Sequence, residues 1–185
     1  MIFRRAVGAR RRRPAAAAGG GSRRRQPDQE DQEDQEDQED IVEDPFELER
    51  FVAAQDAGGT YQRALGELRE GLKRTHWMWF VLPQIAGLGQ SPTARKYAVT
   101  SLAEATAYLR HPVLGPRLIE CAGVVAGLEG RTAGQIFGGI DERKLHSSMT
   151  LFLRADPQQN VFQEVLAKYF DGQPDEATDQ LLGTV

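Results

Sequence analysis

Lysine, histidine, tryptophan and glutamine stand close together in the segment LKRTHWMWFVLPQIAGLGQSP, which supplies Lys73, His76, Trp77 and Gln84. Ligand pockets use aromatic walls with a few polar tips; a lysine can hold an anion and a histidine can move a proton near neutral pH. A second segment, DERKLHSSMTLF, spaces Lys144 and Ser147 so that they share one face of a helix, while Leu145, Met149 and Phe152 point inward. Facing one another, Lys73, His76, Lys144 and Ser147 would surround an anionic group, although spacing alone does not bring the two segments together. Each residue also has a plainer role. Aromatic side chains fill the core of a small helical domain, the expected use of Trp79 and Phe80 and a competing use of Trp77. His76 can serve as a structural hydrogen-bonding residue, and Ser148, on the inward stripe, can bond the carbonyl one turn back.

Other signatures of chemistry are missing. There is no G-x-x-x-x-G-K-[ST] phosphate loop and no G-x-S-x-G elbow, so Gly87 and Gly89 read as loop hinges. His76, His111 and His146 lack metal-ligand spacing, and no metal is expected. Cys121 is the single cysteine, which rules out an intrachain disulfide; its place on an apolar stripe makes it a core residue. A reducing, cytoplasmic setting fits best.

Composition divides the chain. Residues 1 to 26 carry nine arginines and no acid, and residues 27 to 44 carry eleven acids and no base, ordered as a D-Q-E repeat. Neither stretch can bury a core, so residues 1–43 are expected to form a disordered charged tail. Its arginine-rich start leaves mitochondrial targeting as a minor alternative. Residues 45 to 185 hold 14 bases and 16 acids, a balance that disfavours nucleic-acid binding by the folded domain. The longest apolar run of that domain, Trp77 to Leu82, is far short of the roughly 20 residues of a membrane span.

Residues 44–185 should therefore form one domain, and its punctuation is helical. Side-chain oxygens stand where helices begin, at Asp44, Thr60, Ser91, Ser101, Thr132, Asp141, Asp156 and Asp175, with proline next at Asp44, Ser91 and Asp156. Between them, apolar residues recur at helical spacing: Leu65, Leu68 and Leu72; Leu114, Leu118, Cys121, Val125 and Leu128; Val161, Phe162, Val165, Leu166 and Tyr169. Thr132 with Gln135 should cap a brief turn through Phe137, ahead of a helix from Asp141. No stretch alternates with period two for long enough to compel a strand. WMWFVL, closed by Pro83, reads as helix or extended connector, since a lone strand would have no partner. The expected fold class is all-α: a compact orthogonal multi-helix domain of about seven or eight short helices.

The residues DPFELERFVAAQ, TYQRALGELREGLKRTHWMWFVLPQIAGLGQSPTARKYAV, SLAEATAYLRHPVLGPRLIEC, IFG and KLHSSMTLF, in this order, resemble the family catalogued as domain of unknown function 1810. The resemblance runs from Asp44 to about Gly183. It implies a mainly α-helical domain with no known cofactor, and an Arg or Lys where His146 stands.

Two kinds of function follow as expectations. One is a binding module for a small anionic ligand or a protein, built on Lys73, His76, Trp77, Gln84, Lys144 and Ser147. The other is an enzyme, a hydrolase or transferase acting on a phosphorylated or nucleotide-like substrate, with His76 as acid or base and Lys73 and Lys144 stabilising charge. Oligomeric state is left open by the sequence.

Overall fold

The computed structural model describes residues 44–183. The disorder and targeting expected of the arginine-rich and D-Q-E stretches lie outside the described residues. Within them the chain forms α1 (Glu49–Asp56), α2 (Thr60–Arg69), α3 (Met78–Val81), α4 (Pro92–Lys96), α5 (Leu102–Arg110), α6 (Leu114–Gly127), α7 (Ala133–Ala155), α8 (Asn160–Tyr169) and α9 (Glu176–Leu182). The fold is all-α, as the punctuation implies. Among the described residues the β-structure consists of one isolated parallel bridge, Ile85 with Val99.

Four expected caps form directly. Ser91, Ser101 and Asp175 accept from the amides of Ala94, Glu104 and Thr178, and Thr132 and Gln135 close a reciprocal capping box. Two others start late. Asp44 Oδ2 accepts from Glu49 N, but residues 44–48 form turns and α1 begins only at Glu49. Asp156 Oδ1 accepts from Gln158 N in a local turn, and α8 begins at Asn160. An aspartate before proline can close its own turn instead of capping a helix. Leu72 is a further correction: α2 stops at Arg69, so Leu72 leaves the apolar face and is exposed.

Aromatic rings thread the core. Phe51 of α1 meets Tyr108 of α5 edge-on at 5.1 Å, Tyr108 meets Phe152 of α7 at 5.3 Å, and Phe152 meets Phe162 of α8 at 5.9 Å. Leu118, Cys121 and Val125 of α6 are buried against the same core, and burial followed by the nearby Glu120 pushes the Cys121 thiol up to about 12. Helix α7 runs through this interior. It is broken at Gly138, whose φ of 76° and ψ of 158° separate the capped turn 133–137 from the long segment that follows. Such a backbone is close to glycine-only.

Candidate functional site

The loop 70–77 is built around one carboxylate. Glu67 of α2 is buried and accepts from Arg74 N (2.8 Å), Thr75 N (3.1 Å), Thr75 Oγ1 (2.7 Å) and Trp77 Nε1 (2.8 Å). Burial pushes this carboxyl up, but the hydrogen bonds, led by the Arg74 amide and the Trp77 indole, outweigh it and bring it down to about 2. Trp77 is fully buried as a result, with its one polar atom satisfied.

Lys73 is carried on the same loop, its amide donating to Ile136 O at 2.8 Å. Its ammonium lies 5.1 Å from the Trp77 ring centroid and 2.7 Å from Asp141 Oδ2. Lys144 approaches the other oxygen of Asp141 at 2.8 Å and sits 4.1 Å over the Trp79 ring. Two lysines from distant segments thus share one carboxylate. Burial would raise Asp141, but hydrogen bonds from Lys144 and then Lys73 hold it below the usual carboxylate range. The trio therefore carries one net positive charge at neutral pH.

That charge faces a cleft of about 380 Å³ lined by Trp79, Gln84, Leu88, Gly89, Ile140, Arg143, Lys144, Ser147, Asp175 and Ala177. The Ile85–Val99 bridge fixes one wall, with Val99 N donating to Gln84 O at 2.9 Å. Helix α7 provides the floor: Arg143, Lys144 and Ser147 lie within two turns on one face. Helix α9 provides the opposite wall, held by Arg154, whose Nε and Nη2 donate to Asp179 at 2.8 and 2.7 Å. The side chains of Arg143 and Gln84 make no hydrogen bond or ion pair among the described residues, so both remain available to a ligand.

Gln84, Lys144 and Ser147 thus come together on the lining. Lys73 reaches it at one remove, through Asp141, and Trp77 stands behind Lys73. His76 is exposed, outside the lining, and forms no hydrogen bond or ion pair among the described residues. Trp79, expected in the core, is half-buried and forms a wall of the cleft instead. Ser148 has no partner for its Oγ; the neighbouring Thr150 bonds the carbonyl one turn back, that of His146. His146 stacks on Phe170 with centroids 4.1 Å apart, and its Nε2 lies 2.8 Å from Gln173 O.

Besides Trp79, sequence reasoning missed Arg143, Asp141, Asp175 and Thr178 as site residues. Arg143 was within reach, because it precedes Ser147 by one helical turn. Asp175 and Thr178 approach Ser147 only through the fold. Among the described residues no three His, Cys, Asp or Glu side chains gather to hold a metal ion, and no helix is long and apolar enough to cross a membrane.

A larger trough of about 690 Å³ runs between residues 44–49 and α5. Its walls are mostly apolar, and its charges are mixed, with Glu49 Oε1 3.6 Å from His111 Nε2. It gathers no excess of one sign.

Fold and site together define a small all-α domain with a cationic, tryptophan-walled cleft. The chain belongs to the DUF1810 family: the model described as "Protein of unknown function (DUF1810)" matches residues 45–182. It is similar to the crystal structure, at 1.38 Å, of the conserved hypothetical protein Rv1873 from Mycobacterium tuberculosis. Identity is 52%, the match covers 77% of this chain and 100% of that one, and the TM-score is 0.74. None of the curated proteins matches the chain.

Proposed function

We propose that this protein binds a small anionic ligand in the cleft between the 84–89 loop, α7 and α9. The observation that carries the proposal is the pairing of an unpartnered Arg143 with a Lys144 held over Trp79, on one face of α7 inside a concave site. Lysine 144 is pre-positioned by the ring and by Asp141, so little side-chain freedom is lost when an anion arrives. Arginine 143 supplies a planar fork suited to two oxygens of one oxyanion. A volume of about 380 Å³ falls at the small end of the roughly 300–1,000 Å³ that ligand sites span. Gln84 and Ser147 add polar groups that can orient the ligand, and Leu88 and Ile140 give it apolar walls.

The test is a thermal-shift panel of phosphate, citrate and nucleotides on the full chain, repeated with Arg143→Glu. At least one anion should raise the melting temperature of the wild type and leave that of Arg143→Glu unchanged. A panel without any shift, or a shift that survives the charge reversal, contradicts the proposal.

A further inference from the structure

The hydroxyl of Ser147 has its proton committed. Thr178 Oγ1 donates to Asp175 Oδ2 at 2.6 Å, and a carboxylate only accepts. A hydroxyl owns one proton, so in the 2.7 Å contact between Ser147 Oγ and Thr178 Oγ1 the donor must be Ser147. The chain therefore runs in one direction, from Ser147 through Thr178 to Asp175. What Ser147 offers the cleft is a lone pair. Asp175, also on the lining, adds negative charge on the same side.

The cleft thus offers both kinds of partner. Arg143, Lys144 and the Gln84 amide can donate, whereas Ser147 and Asp175 accept. An oxyanion with no proton of its own satisfies the donors and meets lone pairs at Ser147 and Asp175. Resting on the anion-binding proposal above, we infer that the ligand is a phosphate-type oxyanion that keeps an O–H at neutral pH, and that the P–O–H donates to Ser147. Three separate donor groups suit a tetrahedral anion better than a carboxylate with its two oxygens. Inorganic phosphate retains a P–O–H at pH 7. Sulfate has none, and a phosphomonoester, with its second pKa near 6, has largely lost its own. Discrimination comes from the orphaned acceptor: a ligand that leaves Ser147 and Asp175 facing oxygen lone pairs forfeits the affinity of a hydrogen bond and adds repulsion.

Isothermal titration of the full chain at pH 7 with inorganic phosphate, sulfate and methyl phosphate tests the inference. Phosphate should bind about tenfold or more tightly than either of the others, the size expected for one hydrogen bond to a charged partner. Ser147→Ala should bring phosphate down to the level of sulfate. Thr178→Val removes the acceptor that holds the Ser147 proton, so the hydroxyl can turn into the cleft and sulfate affinity should rise about fivefold or more. Should Thr178→Val not fold, Ser147→Ala decides alone. Sulfate or methyl phosphate binding as well as phosphate, or a preference unaltered in Ser147→Ala, overturns the proton-donor inference and leaves the anion site standing. If none of the three binds, the proton-donor inference falls, and the citrate and nucleotide arms of the thermal-shift panel decide whether the anion site falls with it.

Discussion

Glu67 organises more of the candidate site than any other single residue, although it does not touch the cleft. It gathers the amides of Arg74 and Thr75 and the indole of Trp77, and so sets the loop from which Lys73 reaches Asp141. Removing it in Glu67→Ala leaves the buried Trp77 indole and the part-buried amides of Arg74 and Thr75 unpaired and should cost about 3 kcal/mol, measured by urea unfolding. The pH dependence has a definite sign. Its folded value of about 2 lies below the ordinary 4.5, so the stability it contributes is full above about 4.5 and is lost as pH falls towards 2. Urea midpoints at pH 7, 4 and 3 should fall more steeply for the wild type than for Glu67→Gln, which has no proton to take up; parallel curves would contradict this. Ser148 is the opposite case. Its buried Oγ has no partner, so Ser148→Ala should be neutral or stabilising by up to about 1 kcal/mol, whereas a loss above that would reveal a hidden partner.

Among the elements, α7 and α9 form the cleft, and each depends on one local device. The break at Gly138 lets the capped turn 133–137 reach back to Lys73 while the long segment presents Arg143, Lys144 and Ser147. A Cβ there would meet no neighbour, so Gly138→Ala isolates backbone strain and should lower stability by about 2 kcal/mol in thermal or urea melts. Helix α9 carries few apolar residues inward; its buried residues are Thr178 and Asp179, and Arg154 clamps the latter. Arg154→Ala should therefore cost about 2 kcal/mol and speed amide exchange over residues 173–183 more than in α8.

Local rules explain which of these elements were legible. A hydroxyl or carboxylate followed by helical periodicity marked the starts of α4, α5, α7 and α9, whereas Asp141, expected to open a helix of its own, lies inside α7 with its carboxylate taken by Lys73 and Lys144. Asp44 and Asp156 misplaced their helix starts because an aspartate ahead of proline satisfies a turn as readily as a helix. Lys144 and Ser147 could be read as neighbours because one helix carries both. Which tryptophan would line the cleft was not readable: α3 is four residues long, too short for periodicity to tell Trp77 from Trp79. The Ser147–Thr178 contact joins residues 31 apart, and no pattern within a segment reports such pairs.

For the whole molecule, charge and burial divide the labour. The described residues bury a run of four aromatics through α1, α5, α7 and α8 and leave a cleft in which cations outnumber acids. The proposed boundary at Asp44 follows from composition: a chain beginning there should melt within about 2 °C of the full chain in the same buffer, since the preceding stretch has little apolar surface to bury. A larger drop would place part of the core upstream.

The most direct test of the cleft uses the two indoles as reporters. In a ¹⁵N NMR titration of the full chain with inorganic phosphate, the Trp79 indole, the Gln84 side-chain amide and the backbone amides of Lys144, Ser147 and residues 175–178 should shift together with one saturation curve. The Trp77 indole, locked on Glu67, should move far less. Shifts centred on the Trp77 indole and His76, or on the trough beside α5, would contradict the account, as would a spectrum that phosphate leaves unchanged.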